Sequence, residues 1–185
     1  MMILMMIFMV LNLNKLYKIN MSRLGSGDNG ITKDVRGVCV SKKDKKNVFI
    51  GTVDELSSYL GTINNIVYHK DSKVTIMSVQ VTLMQIMSGF EPTPEDLEHD
   101  IYLMESELQR LSHFIIPQHP LHYARTICRR TERKCIGIQD ISYLNRLSYY
   151  LFIHARFQSP DYEVKYDIKR DKLYVSLCEL NSTLK

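Results

Sequence analysis

The sequence predicts an all-α protein, a five-helix antiparallel bundle, on three observations. Apolar residues recur at three- and four-residue spacing through five separate stretches between Gly51 and Phe157, the period of helices that bury one face. The links between these stretches are short, which makes consecutive helices antiparallel neighbours. The chain has 185 residues, 45% of them hydrophobic, with no Trp and 8 Gly. That is enough for one sizeable core, and it lacks the glycine punctuation of a large β fold.

Residues 1–12, MMILMMIFMVLN, are apolar, yet the run is too short to span a bilayer and has no basic leader or small-residue cleavage site. Residues 1–21 therefore read as an N-terminal extension or a misassigned start, with Met21 as the start, and no membrane partner is expected. Residues 22–50 are rich in Gly, Ser, Asp and Lys without helical periodicity and read as an extended arm. The bundle domain, 51–158, opens with Val53, Leu56, Leu60, Ile63 and Val67 behind Thr52 as N-cap. Asp54 and Glu55 would then fall in the first turn, where the positive end of the helix favours acids.

A second helix over 73–88 is expected to turn Val74, Met77, Val81 and Met84 inward, with methionine as core filler. In the third, over 94–112, Thr93 caps and Pro94 takes the first helical position, and Leu97, Ile101, Met104, Leu108 and Leu111 face the core. FIIPQHP, 114–120, is an extended connector. Leu121, Ala124, Cys128, Thr131, Cys135 and Ile138 give the fourth helix a dry stripe. A turn over 137–140 leads to the fifth helix, 141–157, packed through Ile141, Leu144, Leu147, Leu151 and Ala155. Residues 159–185 form a charged tail in which YEVKYDI and KLYVSLCEL alternate as a hairpin does.

Charge is concentrated on the fourth helix. Arg125, Arg129, Arg130, Arg133 and Lys134 fall within ten residues and meet a single acid, Glu132, while His122, Arg125, Arg129 and Glu132 share one stripe. Solvated helix faces usually alternate signs. Five cations against one acid need an anion from outside, and arginine forks suit phosphate and carboxylate. Taken alone, the cluster leaves phosphate, nucleic acid and a partner's carboxylates open. The net charge of +4 is mild and local, which favours a local anionic ligand over general affinity for nucleic acid. Cys39, Cys128, Cys135 and Cys178 have no CxxC spacing and the six His no ligand spacing. These read as reduced thiols of a cytoplasmic protein with no metal site of its own.

Four segments, GSGDNGIT (25–32), GTVDELSSYLG (51–61), ARTICRRTER (124–133) and YLNRLSYYLFIHAR (143–156), together resemble the signature of the PduO-type ATP:cob(I)alamin adenosyltransferases. The resemblance covers 24–156; the glycine loop alone is weak, whereas RRTER with LNRLSYYLF is specific. It implies a ferritin-like, cobalamin adenosyltransferase-like bundle in a homotrimer, with ATP between neighbouring subunits, Mg²⁺ on the triphosphate and cobalamin as co-substrate. The implied reaction transfers the 5′-deoxyadenosyl group of ATP to cob(I)alamin cobalt, giving adenosylcobalamin and triphosphate. A reductase and an adenosylcobalamin-dependent mutase are the implied protein partners.

Residue by residue, Ser26, Gly27, Asp28, Gly30 and Thr32 fall on the family's nucleotide arm, and Lys42 on its phosphate-facing lysine, with Lys43 one residue on as the other candidate. Arg129, Arg130 and Arg133 fall on nucleotide-binding arginines, and Asn145 on the asparagine that contacts the nucleotide. Glu132 falls on the acid that orients an arginine or the ribose, or holds Mg²⁺ through water. Arg125 and Asp54 match a pair bridging two subunits. Phe114 matches the aromatic residue that strips the lower axial ligand of the corrinoid, its plain alternative being a core phenylalanine, and His122 would face the corrinoid. Arg129, Asn145 and Phe114 are the implied catalytic residues, while Arg146 reads as a packing or surface-pair residue. Two departures stand out: LGSGD in the arm, and the shortened PQHP of the connector. The alternative from another class is a non-catalytic ATP- or corrinoid-binding bundle acting as sensor or carrier.

Overall fold

The computed structural model describes residues 25–64, 74–159, 164–170 and 172–175. The apolar extension 1–21, Val67, His69 and Cys178 lie outside the described residues. The chain divides into two compact units, Met1–Asn47 and Val48–Lys185.

In the first unit, β1 (Ile31–Lys33) and β2 (Cys39–Ser41) form an antiparallel pair with Thr32 opposite Val40. Asp34 builds the turn between them: its Oδ1 accepts from the amides of Arg36 and Val38, both at 2.9 Å, and its Oδ2 pairs with Arg36 at 3.0 Å. Chiefly through the Val38 amide, this arrangement holds the Asp34 carboxyl below its ordinary value.

Five helices follow: α1 (Lys45–Ile63), α2 (Ile76–Met87), α3 (Glu95–Glu107), α4 (Pro120–Cys135) and α5 (Ser142–Gln158). The first begins at Lys45, ahead of the expected Gly51 start, because the Asp44 carboxylate accepts the Lys46 amide at 2.8 Å and serves the orphan donors of the first turn. Thr52 is therefore no cap; its hydroxyl donates back to the Phe49 carbonyl at 2.8 Å. Asp54 sits in mid-helix, and the first-turn account of that acid falls.

In α2 the inward face differs from expectation. Ile76, Val79, Leu83 and Ile86 are buried, whereas Met77, Val81 and Met84 are 65%, 51% and 46% exposed. The segment is apolar on two stripes, so its period could not choose between them, and the branched stripe took the core. A capping box at Thr75 and Ser78 fixes the start. Gly61 gives the α2 contact its closeness, since a Cβ there would stand 3.0 Å from the Gln80 amide nitrogen, which donates to the Ser57 carbonyl at 2.9 Å.

The third helix starts after Pro94, which makes no side-chain cap bond, and ends at Glu107, short of the expected Ser112. Beyond it the Gln109 carbonyl is taken by the buried Arg156 guanidinium at 2.9 Å, which ties the departing chain to α5. The dry stripe of α4 is buried as expected through Leu121, Ala124, Cys128, Thr131 and Cys135. Thr131 ties it to α1 through the Thr52 carbonyl at 3.0 Å. Leu144, Leu147, Leu151 and Ala155 are buried, and so are Tyr150, Ile153, His154 and Arg156, so α5 is covered on most sides.

The all-α expectation needs correction, because β3 (Phe114–Ile116), β4 (Val164–Asp167) and β5 (Lys172–Val175) form a three-stranded antiparallel sheet in that order. The tail hairpin is present as expected, and the connector joins it with Phe114 opposite Tyr166. The described residues are mostly helical, with two small antiparallel sheets.

Candidate functional site

Because the dry stripe of α4 faces inward, its charged stripe emerges toward solvent from Arg125 to Arg129, while His122 at its start is buried. His119 caps the helix, its Nδ1 accepting from the Leu121 amide at 3.2 Å, and Pro120 takes the first position. Arg133 and Lys134 fall in the last turn, where carbonyl dipoles favour cations. From this stripe Arg129 Nη1 donates to Glu132 Oε2 at 2.9 Å and reaches across to Asn145 Oδ1 on α5 at 3.4 Å. Arg125 stands one turn earlier with its guanidinium 6.0 Å from the Phe152 ring centre. Its Nε is buried with no hydrogen-bond partner among the described residues.

These groups line an open cleft of about 440 Å³ whose wall is Arg125, Arg129, Asn145, Arg146, Ser148 and Tyr149. Three guanidinium groups line one open cleft that has no carboxylate in its wall, with Glu132 and Glu98 partnering only two of them from outside it, and so form a place for a multiply charged anion. Arg146 also pairs with Glu98 of α3 at 2.6 Å, so the surface-pair reading is true and incomplete, since the same side chain lines the cleft. Ser148, Tyr149 and Phe152 were missed by sequence reasoning. They share helical spacing with Asn145, and that stripe was the signal available.

Other expected residues lie elsewhere. Arg130 is paired with Glu55 of α1, and Arg133 is exposed. Neither lines the cleft. His122 is 5% exposed, its ring 5.8 Å from Phe152. It borders a separate cavity of about 280 Å³ together with Ile115, His119 and Arg156. Phe114 is 65% exposed on β3, which overturns the core-phenylalanine alternative. It borders a third cavity, about 570 Å³, with Leu111, Tyr166 and Ile168. Asp54 is exposed on α1.

In the arm unit Gly27 has φ 92°, and a Cβ there would stand 3.0 Å from both Cε and Nζ of Lys42. The Lys42 amide donates to the Gly30 carbonyl at 2.9 Å, and the Gly30 amide to the Gly27 carbonyl at 3.0 Å. Lys42, rather than Lys43, thus packs against the glycine turn, while the Lys43 amide is held by Ser41 Oγ at 3.1 Å. Ser26 and Asp28 are exposed; Thr32 is half-buried on β1.

Residues 23–158 match the family model described as cobalamin adenosyltransferase. A curated relative, the corrinoid adenosyltransferase MMAB of Mus musculus, is 36% identical over 75 residues, 34% of this chain. The match spans only 32% of that relative's length. Among solved structures, an arginine-to-lysine variant of a PduO-type ATP:co(I)rrinoid adenosyltransferase from Lactobacillus reuteri, complexed with ATP, has 26% identity and TM-score 0.66 over 78% of this chain and 99% of that one. A phenylalanine-to-histidine variant of the PduO-type ATP:corrinoid adenosyltransferase from that organism, complexed with cobalamin and ATP, has 24% identity and TM-score 0.69 over 80% of this chain and 97% of that one.

Proposed function

Because the chain belongs to the cobalamin adenosyltransferase family, whose model matches residues 23–158, we infer that it transfers the 5′-deoxyadenosyl group of ATP to the cobalt of cob(I)alamin. The cobalt electron pair attacks C5′, a cobalt–carbon bond forms, the C5′–oxygen bond breaks, and its electrons leave with triphosphate. Cob(I)alamin is already a strong nucleophile, so the protein needs no general base. Its task is to hold C5′ in line and neutralise the charge on the leaving group.

The cleft of α4 and α5 suits that task. Arg129 carries the reading, since it touches Glu132 and Asn145 together. Arg125 and Arg146 add two further cations on the same wall. A triphosphate there would exchange the α4 self-repulsion for charge-assisted bonds. Lys42, resting on Gly27 within the arm unit, presents an ammonium beside a glycine turn, a chemistry suited to phosphate oxygens. Mg²⁺ would arrive with the triphosphate, and Glu132, which the Arg129 guanidinium already engages, is the acid that would hold it through water. When bound it would share the negative charge that builds on the leaving triphosphate. We extend the reading to a homotrimer in which Asp54 of one subunit meets Arg125 of the next, which would supply the unpartnered Nε.

The test is incubation of the protein with ATP, Mg²⁺ and chemically reduced cobalamin, read by the absorbance of adenosylcobalamin and by chromatography of triphosphate. Both products are expected from the wild type and neither from Arg129→Ala. Tight ATP binding with no alkylation under strong reductant would instead make the chain a sensor or carrier.

A further inference from the structure

Tyr149 stands in the wall between two cavities. On one side lies the cationic cleft; on the other is a groove of about 390 Å³ where Leu108, Leu111 and Ile153 alternate with Gln109, Arg110 and Arg156, and Tyr149 and Phe152 line both. The ring is held at two points. Its hydroxyl donates to Glu105 Oε1 on α3 in a short contact. Its face lies nearly parallel to Phe152, at 21° and 6.5 Å between ring centres. Phe152 is in turn fixed by Arg125 and His122. Hydrogen bonding to Glu105 also pushes the phenol above its usual value, so the hydroxyl keeps its proton and its donor role. Yet 44% of the tyrosine is exposed, which leaves ring surface free for a ligand.

The two sides of this wall differ in chemistry. The cleft gathers three guanidinium groups, Arg125, Arg129 and Arg146, for a polyphosphate, whereas the groove sets the Glu105 carboxylate against Arg110 and an Arg156 whose guanidinium already serves the Gln109 carbonyl. A flat, largely apolar group is suited by Leu108, Leu111, Ile153 and the aromatic pair. In-line displacement at C5′ requires the nucleophile on the side opposite the leaving group, so the macrocycle that carries it must rest beside the cleft rather than in it. We propose that Tyr149 is a specificity-determining residue for the corrinoid: held by Glu105, its ring sets where the edge of the macrocycle rests against the bundle, and it leaves the triphosphate untouched.

This assignment rests on the adenosyltransferase reading, and the test keeps the two apart. Steady-state kinetics on Tyr149→Ala should raise KM for cob(I)alamin about tenfold, the size of one lost aromatic contact, with KM for ATP within about twofold of wild type. Tyr149→Phe, which keeps the ring and loses only the tether, should fall between wild type and Tyr149→Ala. Glu105→Ala, which removes the acceptor and leaves the ring, should match Tyr149→Phe. An equal rise in both KM values, or no change in the corrinoid KM, overturns the proposal. Absorbance titration of cob(II)alamin onto the ATP-loaded protein reads the same contact without turnover. A wild type that binds corrinoid but makes no product sinks the transferase reading alone, and Tyr149→Ala binding corrinoid as tightly as wild type sinks this one alone.

Discussion

Arg129 on α4 reaches Asn145 on α5 at 3.4 Å while the same nitrogen holds Glu132 at 2.9 Å. The pair links the two helices at the cleft wall and fixes a long, flexible cation in one orientation before any ligand arrives. Removing a preorganised donor of this kind lowers turnover by about 100- to 1000-fold. Arg129→Ala should therefore lose about that much in kcat/KM for ATP. Arg129→Lys keeps the charge, loses the fork and should recover only part of it. Because Arg129 and Asn145 are in contact, the loss in Arg129→Ala/Asn145→Ala should be smaller than the two single losses combined. Additive losses would mean that the two side chains act separately.

What was legible in the sequence was whatever one helix states by itself. The fourth helix separates its charged and apolar stripes, so its buried face followed from spacing, whereas Asn145, on the next helix, was singled out only by the resemblance and its contact with Arg129 comes from the packing of α4 on α5. The second helix carries two apolar stripes, and only the neighbours it packs against decide between Val79 and Met77. Strand pairing between Phe114 and Tyr166 is non-local, so the connector and the tail could each be read as extended but not as partners. Tyr149 lies off the apolar stripe and went unremarked in the sequence; its place becomes visible only when Glu105, from another helix, stands opposite its hydroxyl.

Phe114 offers a separation of folding from function. It is 65% exposed, so Phe114→Ala opens no core cavity. Its stability should stay within about 0.5 kcal/mol of wild type in urea unfolding, as for surface substitutions generally. If its ring excludes water beneath the corrinoid, activity starting from cob(II)alamin should collapse while activity on pre-reduced cob(I)alamin largely survives. Equal loss on both substrates would remove the ligand-stripping role.

Tyr143 predicts an alkaline limit. Burial pushes its phenol from an ordinary 10.0 up to about 12. The folded state therefore holds this proton more tightly than the unfolded chain. The stability this represents is complete below about pH 10 and is lost as pH rises toward 12. Each pH unit inside that window should cost about 1.4 kcal/mol from this group alone. Thermal melts from pH 9 to 12 should fall more steeply for wild type than for Tyr143→Phe, and parallel curves would show that the phenol does not govern the transition.

The cysteines should divide sharply. Cys39 is exposed, whereas Cys128 and Cys135 are buried, and burial pushes both of their thiols above the usual range. Thiolate is the reactive form. Alkylation of the native protein at pH 8, mapped by peptide mass spectrometry, should mark Cys39 and spare Cys128 and Cys135 until denaturant is added. Rapid native labelling of Cys128 would mean that the packing of α4 on α5 opens readily.

Asp54 and Arg125 test the assembly. With α1 beginning at Lys45, Asp54 sits in mid-helix and gains nothing from the helix dipole, yet it is an exposed acid. Arg125 has the opposite problem, a buried Nε with no hydrogen-bond partner among the described residues. A bridge between subunits would answer both. Sedimentation should then give three times the chain mass for wild type. Asp54→Arg should give smaller species through like-charge repulsion, and Asp54→Arg combined with Arg125→Asp should restore the larger one in part. A monomeric wild type, or an Asp54→Arg protein that sediments unchanged, would leave Arg125 to the ligand in the cleft alone, and Arg125→Ala would then weaken ATP binding without altering mass.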